Sequence, residues 1–187
     1  IFLTFLSINL SAAIPNPPDL GIGSYILYEP NTKKVLASFN ADAPVEPASL
    51  TKLMTSYVVA DFIEKDFISL TDTPKISINA WKTPGSRMFI RESTKVPVQE
   101  LIKGMIIQSG NDASVALAEH VAGSEEDFTY LMNEQAKELG MENTSFNNAS
   151  GLPHPLNVTS AYDLAILTGE LIKNFPEHYR HYSQKSF

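Results

Sequence analysis

Cysteine is absent from all 187 residues of the sequence. This absence excludes a thiol nucleophile, a zinc–thiolate site and a disulfide framework. Histidine is scarce, with four in the chain, and the pair His178 and His181 has neither an HExxH pattern nor a third ligand beside it. We therefore expect no metal centre.

Positive charge is also in short supply. The chain has 14 lysines and arginines against 21 acidic residues, a formal net charge of −7. No basic stripe is available to neutralise phosphates, so nucleic acid is excluded as a partner. Walker and Rossmann fingerprints are lacking too, and we expect no cofactor.

Long hydrophobic runs are missing except at the start, where "IFLTFLSINLSAAI" is an apolar stretch followed by small residues at Ser11-Ala12-Ala13. The run is too short to cross a bilayer as a helix, and the small residues suit a signal-peptidase cleavage site. We predict that residues 1–13 are a signal-peptide remnant, that the mature chain begins near Ile14 and that the protein is exported. The alternative is a buried apolar strand.

The rest of the chain predicts an α+β domain, in which one hairpin precedes a mostly helical lobe. The hairpin pairs Ser24–Glu29 with Lys34–Phe39, and "KISIN" is a further short extended piece. Helices are predicted at 49–65, 97–106, 113–122, 124–140 and 160–174. Because two strands do not make a stable sheet, we expect more strands beyond Phe187 and interpret residues 14–187 as part of a catalytic domain.

A serine and a lysine stand one turn apart in "EPASLTKLMTSY", at Ser49 and Lys52. A serine hydroxyl is a weak nucleophile until a base removes its proton, and a lysine can do so near neutral pH only if its pKa falls by about three units. With 18 serines and 11 lysines, chance alone gives about one such spacing. The spacing by itself favours a helix-capping serine with a solvated lysine, which is the commoner fate of such pairs.

A second serine lies in "SGN", where an apolar helical pattern breaks at Ser109–Asn111. The triplet Ser-x-Asn occurs five times in this chain, so its setting carries the signal rather than its letters. A polar break between two apolar helices aims a hydroxyl and an amide into the interior, where they need partners. Ser49, Lys52 and a substrate would be suitable ones.

Four segments, taken in order, resemble the D-alanyl-D-alanine carboxypeptidases, the low-molecular-mass penicillin-binding proteins of the bacterial periplasm. These segments are "EPASLTKLMTSYVV", "GSRMFI", "VPVQELIKGMIIQSGNDASVALAEHVAGS" and "TSAYDLAILTGELIK". The resemblance covers essentially the whole chain after the signal remnant. It implies a β-lactamase/DD-peptidase-like fold, with an antiparallel sheet flanked by helices.

The resemblance also implies roles for individual residues. Ser49 matches the acylated nucleophile and Lys52 the base that activates it. Ser109 matches the hydroxyl that relays a proton to the leaving amine, and Asn111 the amide that hydrogen-bonds the substrate backbone. The family's third motif, Lys-Thr-Gly, lies on a later strand, so we expect it beyond Phe187.

The function implied is removal of the terminal D-alanine from peptidoglycan stem peptides ending in D-Ala-D-Ala, through an acyl-enzyme on Ser49. β-Lactam antibiotics would acylate the same serine. Without the Lys-Thr-Gly strand, residues 1–187 alone are expected to show little turnover. The resemblance further implies a periplasmic location, with the inner-membrane surface reached through an anchor beyond Phe187.

Two alternatives stay open at this point. A class A-type β-lactamase would share the fold but carry Ser-Asp-Asn and a deacylating glutamate, whereas Gly110 replaces the aspartate here. The E-x-x-x-N candidate, Glu170 to Asn174, falls in an apolar helical pattern that favours a surface position. A secreted, non-catalytic binding module is the other alternative, suggested by glycosylation-like sequons at 143, 148 and 157.

Overall fold

The computed structural model describes residues 20–187, so the predicted signal remnant lies outside the described residues. Two strands open this part of the chain, β1 (Tyr25–Glu29) and β2 (Lys34–Phe39). The helices that follow are α1 (Thr51–Glu64), α2 (Ile78–Lys82), α3 (Val98–Ile107), α4 (Asn111–Ala122), α5 (Glu125–Glu138), α6 (Ala161–Asn174) and α7 (Pro176–Tyr179). Short 3-10 turns occupy Ala48–Leu50 and Arg180–Ser183.

The predicted hairpin is confirmed, with β1 and β2 antiparallel and Tyr25 opposite Phe39. The Glu29 carboxylate organises the turn between them by accepting from the Thr32 N–H at 2.7 Å. Leu27 is 57% exposed on β1, so part of the hairpin's apolar surface has no cover among residues 20–187. That further strands cover it stays a prediction.

Helices α1 and α4 form the centre of the helical lobe. Nine of the fourteen residues of α1 are buried, and they lie on every face of the helix rather than on one stripe. A helix that is apolar or small all round belongs in the interior of a domain. Helix α4 packs against α1, α2, α3 and α5, and its first eight residues are all buried. Side chains at the N-terminal ends of both helices are therefore held away from water.

One predicted element is only partly right. The segment "KISIN" is extended, as the sequence predicts, from Lys75 to Ser77, but Ile78 and Asn79 begin α2. The Ser77 hydroxyl accepts the Ala80 N–H at 2.9 Å and caps this short helix, and such a cap outweighs the alternating apolar pattern over so few residues. Before the helix the extended pairing is kept: Lys75 bridges Lys95, and the Ile76 N–H donates to the Thr94 carbonyl at 3.0 Å.

The long connection between α5 and α6 is tied down at both ends. Asp163 is almost fully buried near the start of α6, and its carboxylate accepts from the Asn143 N–H at 2.8 Å and the Thr144 hydroxyl at 2.6 Å. Single bridges join Val45 to Thr159 and Ser145 to Val158. The connection is therefore an ordered wall of the lobe. Across residues 20–187, none of the helices combines the length and apolarity needed to cross a membrane.

Candidate active site

The first candidate residue, Ser49, lies in the 3-10 turn that leads into α1 rather than in the α-helix itself. Ala48, the residue before it, has a φ of 45°, in the left-handed region that a residue with a Cβ rarely adopts. The turn closes through a 3.0 Å bond from the Leu50 N–H to the Pro47 carbonyl. This strained turn leaves the Ser49 side chain exposed at the N-terminal end of a buried helix.

Lys52 is 5% exposed, and its amine lies among three oxygen atoms. Its Nζ is 3.3 Å from the Ser49 Oγ, 2.7 Å from the Asn111 Oδ1 and 2.7 Å from the carbonyl oxygen of Ser150. A neutral amine has two N–H donors and one lone pair. The two short contacts are to groups that can only accept, so they take the donors, and the lone pair is left for the Ser49 hydroxyl.

Burial lowers the pKa of the Lys52 ammonium to about 8, from a reference value of 10.5. The physical cause is the loss of water around the charged form. A substantial fraction of the amine is therefore neutral close to physiological pH. In this setting Lys52 can act as a base toward Ser49.

Ser109 lies at the junction of α3 and α4, and its hydroxyl donates to the Ser49 Oγ at 3.1 Å. Its own φ is 54°, so a second non-glycine residue of the site is in the left-handed region. The Gly110 N–H bonds back to the carbonyl of Gly104 at 3.0 Å, which fixes the sharp turn between the two helices. Strained backbone of this kind concentrates at functional sites.

Asn111 begins α4, and both the oxygen and the nitrogen of its side-chain amide are hydrogen-bonded. Its Oδ1 accepts from Lys52, and its Nδ2 donates to the Pro84 carbonyl at 2.7 Å. A Cβ at Gly85 would lie 2.5 Å from this Nδ2, so the loop can approach only because residue 85 is glycine. The structure thus shows Asn111 orienting the lysine, and its contact with a substrate backbone stays a prediction.

A buried carboxylate braces the loop that carries Pro84 and Gly85. Asp112 is fully buried and accepts from the backbone N–H groups of Met88 at 3.0 Å and Ile90 at 3.2 Å. The Arg87 side chain bonds to the Trp81 carbonyl, and its Nε lies 3.9 Å from the Asp112 carboxylate. The loop and the N-terminal end of α4 are thereby held as one unit beside Asn111.

The structure therefore brings together all four side chains that the sequence nominated, Ser49, Lys52, Ser109 and Asn111. Sequence reasoning missed the Ser150 carbonyl. Every residue has a backbone carbonyl, so the residue type gave no signal at that position. The one hint in the sequence was the glycine in "ASGL", because glycine is common in tight turns. In the structure Gly151 has a φ of 83°.

The glutamate considered as a deacylating group lies elsewhere. Glu170 is half-buried on α6, where its carboxylate contacts Asn174 at 3.1 Å and Lys173 at 3.8 Å. Both partners are on its own helix, and Tyr28 and Pro30 share a cavity wall with Glu170. The residue therefore faces the hairpin side of the domain.

A cavity of about 480 Å³ is also away from Ser49. It is lined by the C-terminal ends of α1 and α6 and by His178, whose Nε2 is 2.6 Å from the buried Ser56 hydroxyl. Burial lowers the pKa of His178 to about 4, so the ring is neutral at physiological pH. Residues 20–187 show no group of three or more potential metal ligands.

An exposed serine, a buried amine and a second hydroxyl within hydrogen-bond reach define a serine–lysine type of acyl-transfer site. The site lies at the N-terminal end of a central helix, beside a helix break that carries Ser-x-Asn. The fold that holds it is that of the penicillin-binding proteins and DD-peptidases. The chain belongs to the D-alanyl-D-alanine carboxypeptidase family, peptidase S11, whose family model matches residues 11–187.

Individual relatives agree with this assignment. The chain is 46% identical over 176 residues to the D-alanyl-D-alanine carboxypeptidase DacC of Escherichia coli, covering 91% of this chain and 44% of the relative. The structure of DacD from Francisella tularensis superposes with a TM-score of 0.91 at 40% identity, covering 96% of this chain and 43% of that one. Penicillin binding protein 5 from Haemophilus influenzae gives 0.90 at 40% identity, with 92% and 51% covered. The chain thus spans about half the length of the curated relatives it matches.

Proposed function

We propose that this chain carries the acylation machinery of a serine D-Ala-D-Ala carboxypeptidase that acts on peptidoglycan stem peptides and is acylated by β-lactams. The observation that carries the proposal is the buried Lys52 amine, 3.3 Å from the Ser49 hydroxyl and with its pKa lowered to about 8. Family membership supports the substrate class, because relatives that align with nearly the whole of this chain are named D-alanyl-D-alanine carboxypeptidases.

In the proposed reaction the neutral Lys52 amine takes the proton of the Ser49 hydroxyl while the Oγ attacks the carbonyl carbon of the penultimate D-alanine. The Ser49 backbone N–H, in the first turn before α1, is placed to stabilise the oxyanion. Lys52 then returns this proton through the Ser109 hydroxyl, which is bonded to the Ser49 Oγ, to the leaving amine, and terminal D-alanine departs. Water then hydrolyses the Ser49 ester and restores the enzyme. Asn111 holds the amine and, after releasing Pro84, can bond the substrate backbone.

A β-lactamase of the same fold would need a group that deacylates the penicilloyl ester quickly. Gly110 stands where that class has aspartate, and Glu170 contacts Asn174 and Lys173 of its own helix instead of the site. We therefore propose slow release of penicillin.

The binding-module alternative depended on three sequons, and two of them are unsuited to carry glycans. Asn157 is 3% exposed and its Nδ2 donates to the Leu152 carbonyl at 2.8 Å, while the Asn148 Nδ2 donates to the same oxygen at 2.9 Å. A glycan on either nitrogen would break the wall of the lobe. Asn143 alone is exposed.

The decisive test uses the full-length protein, a fluorescent penicillin and a D-Ala-D-Ala tripeptide. We expect one equivalent of label on Ser49, release of D-alanine from the peptide, and neither in Ser49→Ala. Ser24→Ala, outside the site, is the matched control. Absence of label on folded wild-type protein would refute the carboxypeptidase proposal, and rapid turnover of penicillin would favour the lactamase.

We also propose that the protein works outside the cytoplasm, on the cell-wall side of the inner membrane. The apolar start of the chain, with small residues at 11–13, supports export. Cell fractionation with detection of the mature N-terminus tests this proposal. Cleavage near residue 14 and a periplasmic signal are the expected results.

A further inference from the structure

The Lys52 amine depends on one partner that is not a side chain, the carbonyl oxygen of Ser150 at 2.7 Å. This carbonyl belongs to the connection between α5 and α6, outside any helix or strand. A loop carbonyl can orient an amine only if the loop is itself fixed, because a displacement of about 1 Å removes a hydrogen bond. The contacts that hold residues 148–151 are therefore part of what sets the direction of the lysine lone pair.

Two hydrogen bonds tie the segment 148–151 to neighbouring helices, and a bond within the segment closes its turn. The Ala149 N–H donates to the Glu125 carboxylate at 2.9 Å, and the Ala149 carbonyl accepts from the Thr55 hydroxyl at 2.7 Å. The Asn148 Oδ1 accepts from the Gly151 N–H at 2.7 Å. Thr55 lies on α1 itself, one turn after Lys52, so the backbone of Ala149 links the lysine helix to α5.

Glu125 is the ionisable member of this set, and its surroundings are unusual for a carboxylate. It lies half-buried in the first turn of α5. Burial raises its pKa and the Glu119 carboxylate on α4 adds to the rise, while the bond from Ala149 opposes it. Together with Pro84, Asn148 and Ser150, Glu125 also lines a cavity of about 200 Å³ behind the segment. Ser150 thus borders this cavity and also contacts the Lys52 amine through its carbonyl.

We propose that Glu125 is a positioning residue for acylation: by holding the Ala149 N–H, it aims the Ser150 carbonyl at Lys52 and so directs the amine lone pair toward Ser49. The inference rests on the proposed function, since it concerns the same serine–lysine pair. Glu125 does not touch the reacting atoms. It acts through the backbone of residues 149 and 150, which joins the Ala149 N–H to the Ser150 carbonyl.

The simpler explanation is that Glu125 only stabilises the N-terminal end of α5, where an acidic side chain is favourable. Glu126 offers a matched control, because it is in the same first turn but exposed. Glu125→Gln keeps an oxygen that can accept from Ala149, whereas Glu125→Ala removes it. The three variants separate the hydrogen bond from the helix charge.

The test measures two quantities in the full-length protein and its variants: the second-order rate of acylation by fluorescent penicillin, and the pKa of the Lys52 side chain by NMR of labelled lysine without any ligand. We expect Glu125→Ala to slow acylation at least tenfold and to raise the Lys52 pKa toward 10.5 as water enters. Glu125→Gln is expected to retain most of the rate and the lowered pKa, and Glu126→Ala to match wild type in both.

An unchanged rate and an unchanged Lys52 pKa in folded Glu125→Ala would overturn the inference, as would an equal loss in Glu126→Ala. If folded wild-type protein takes no penicillin, the proposed function fails, and the lysine pKa still judges the inference. A raised pKa in Glu125→Ala alone would then support positioning without acylation.

Discussion

The acylation rate of Ser49 should follow the titration of Lys52 with an inflection near pH 8. At pH 7.5, a pKa of about 8 leaves roughly a quarter of the amines neutral, against about one in a thousand at the reference value of 10.5. The burial of this side chain therefore supplies about 200-fold in the population of the active base. The neutral form is the base, so the rate must rise with pH through 8 and level off above it.

The assay is the second-order rate constant for fluorescent penicillin between pH 6 and 10, on full-length protein. Lys52→Arg provides the perturbation, because a guanidinium stays charged throughout this range and cannot accept the serine proton. We expect that variant to lose at least 1,000-fold at pH 8. Lys65→Arg changes an exposed lysine at the end of the same helix and should keep the wild-type profile.

Three outcomes would refute this reasoning. A rate that is flat from pH 6 to 10 would show that no amine titrates during acylation. An inflection near 10.5 would show that the side chain is hydrated in solution and that the burial of Lys52 has no effect on its basicity. Substantial acylation of Lys52→Arg would show that a group other than Lys52 is the base.

The remaining predictions concern stability, each measured by urea unfolding. Gly151→Ala should lower the free energy of unfolding by about 3 kcal/mol, because φ is 83° and the new Cβ would lie 1.8 Å from the Ala48 carbonyl oxygen. Gly140→Ala is the control: φ is 75° but the space around it is open, so the loss should be about 1 kcal/mol. Equal losses would contradict the packing argument. Asp112→Ala should cost about 3 kcal/mol or more, because it leaves the buried N–H groups of residues 88 and 90 unpaired, and a loss below 1 kcal/mol would show that water replaces the carboxylate. The free energy of unfolding of wild type, relative to that of Lys52→Met, should rise by about 3 kcal/mol from pH 8 to 10.5. In this range Lys52 is protonated in the unfolded chain but has lost its proton in the folded one. A constant difference would rule out a lowered pKa of Lys52.

The parts of the fold that the sequence predicted are those set by local pattern. Apolar residues at helical spacing gave α1, α3 and α6. The predicted helix starts at 124 and 160 are confirmed, and in the structure each serine accepts the N–H three residues on. The spacing of Ser49 and Lys52 could be read as one shared turn, and the apolar break around Ser109 as an inward-facing junction. Local chemistry was sufficient for these elements.

What the sequence could not give depends on contacts between distant residues. Ser150 is 98 residues from Lys52 along the chain, and a backbone carbonyl is present at every residue, so the sequence does not indicate this contact. The approach of Pro84 to Asn111 depends on Asp112, which holds the loop through the backbone N–H groups of residues 88 and 90. Almost any residue type at 88 and 90 has such an N–H group, so the sequence there does not indicate the contact. Such partners become visible only once the helices are packed.

The site concentrates three costs in one place: left-handed backbone at Ala48 and at Ser109, and an amine taken out of water at Lys52. None of these would persist in a flexible segment, because relaxing each would lower the free energy by about 1–3 kcal/mol. They persist here since α1 and α4 are buried along their first turns and cannot move without opening the core. The same central packing that lowers the pKa of Lys52 thus holds both serines in strained turns around it, and the reactivity of the pair is a property of the whole helical lobe rather than of a Ser-x-x-Lys spacing.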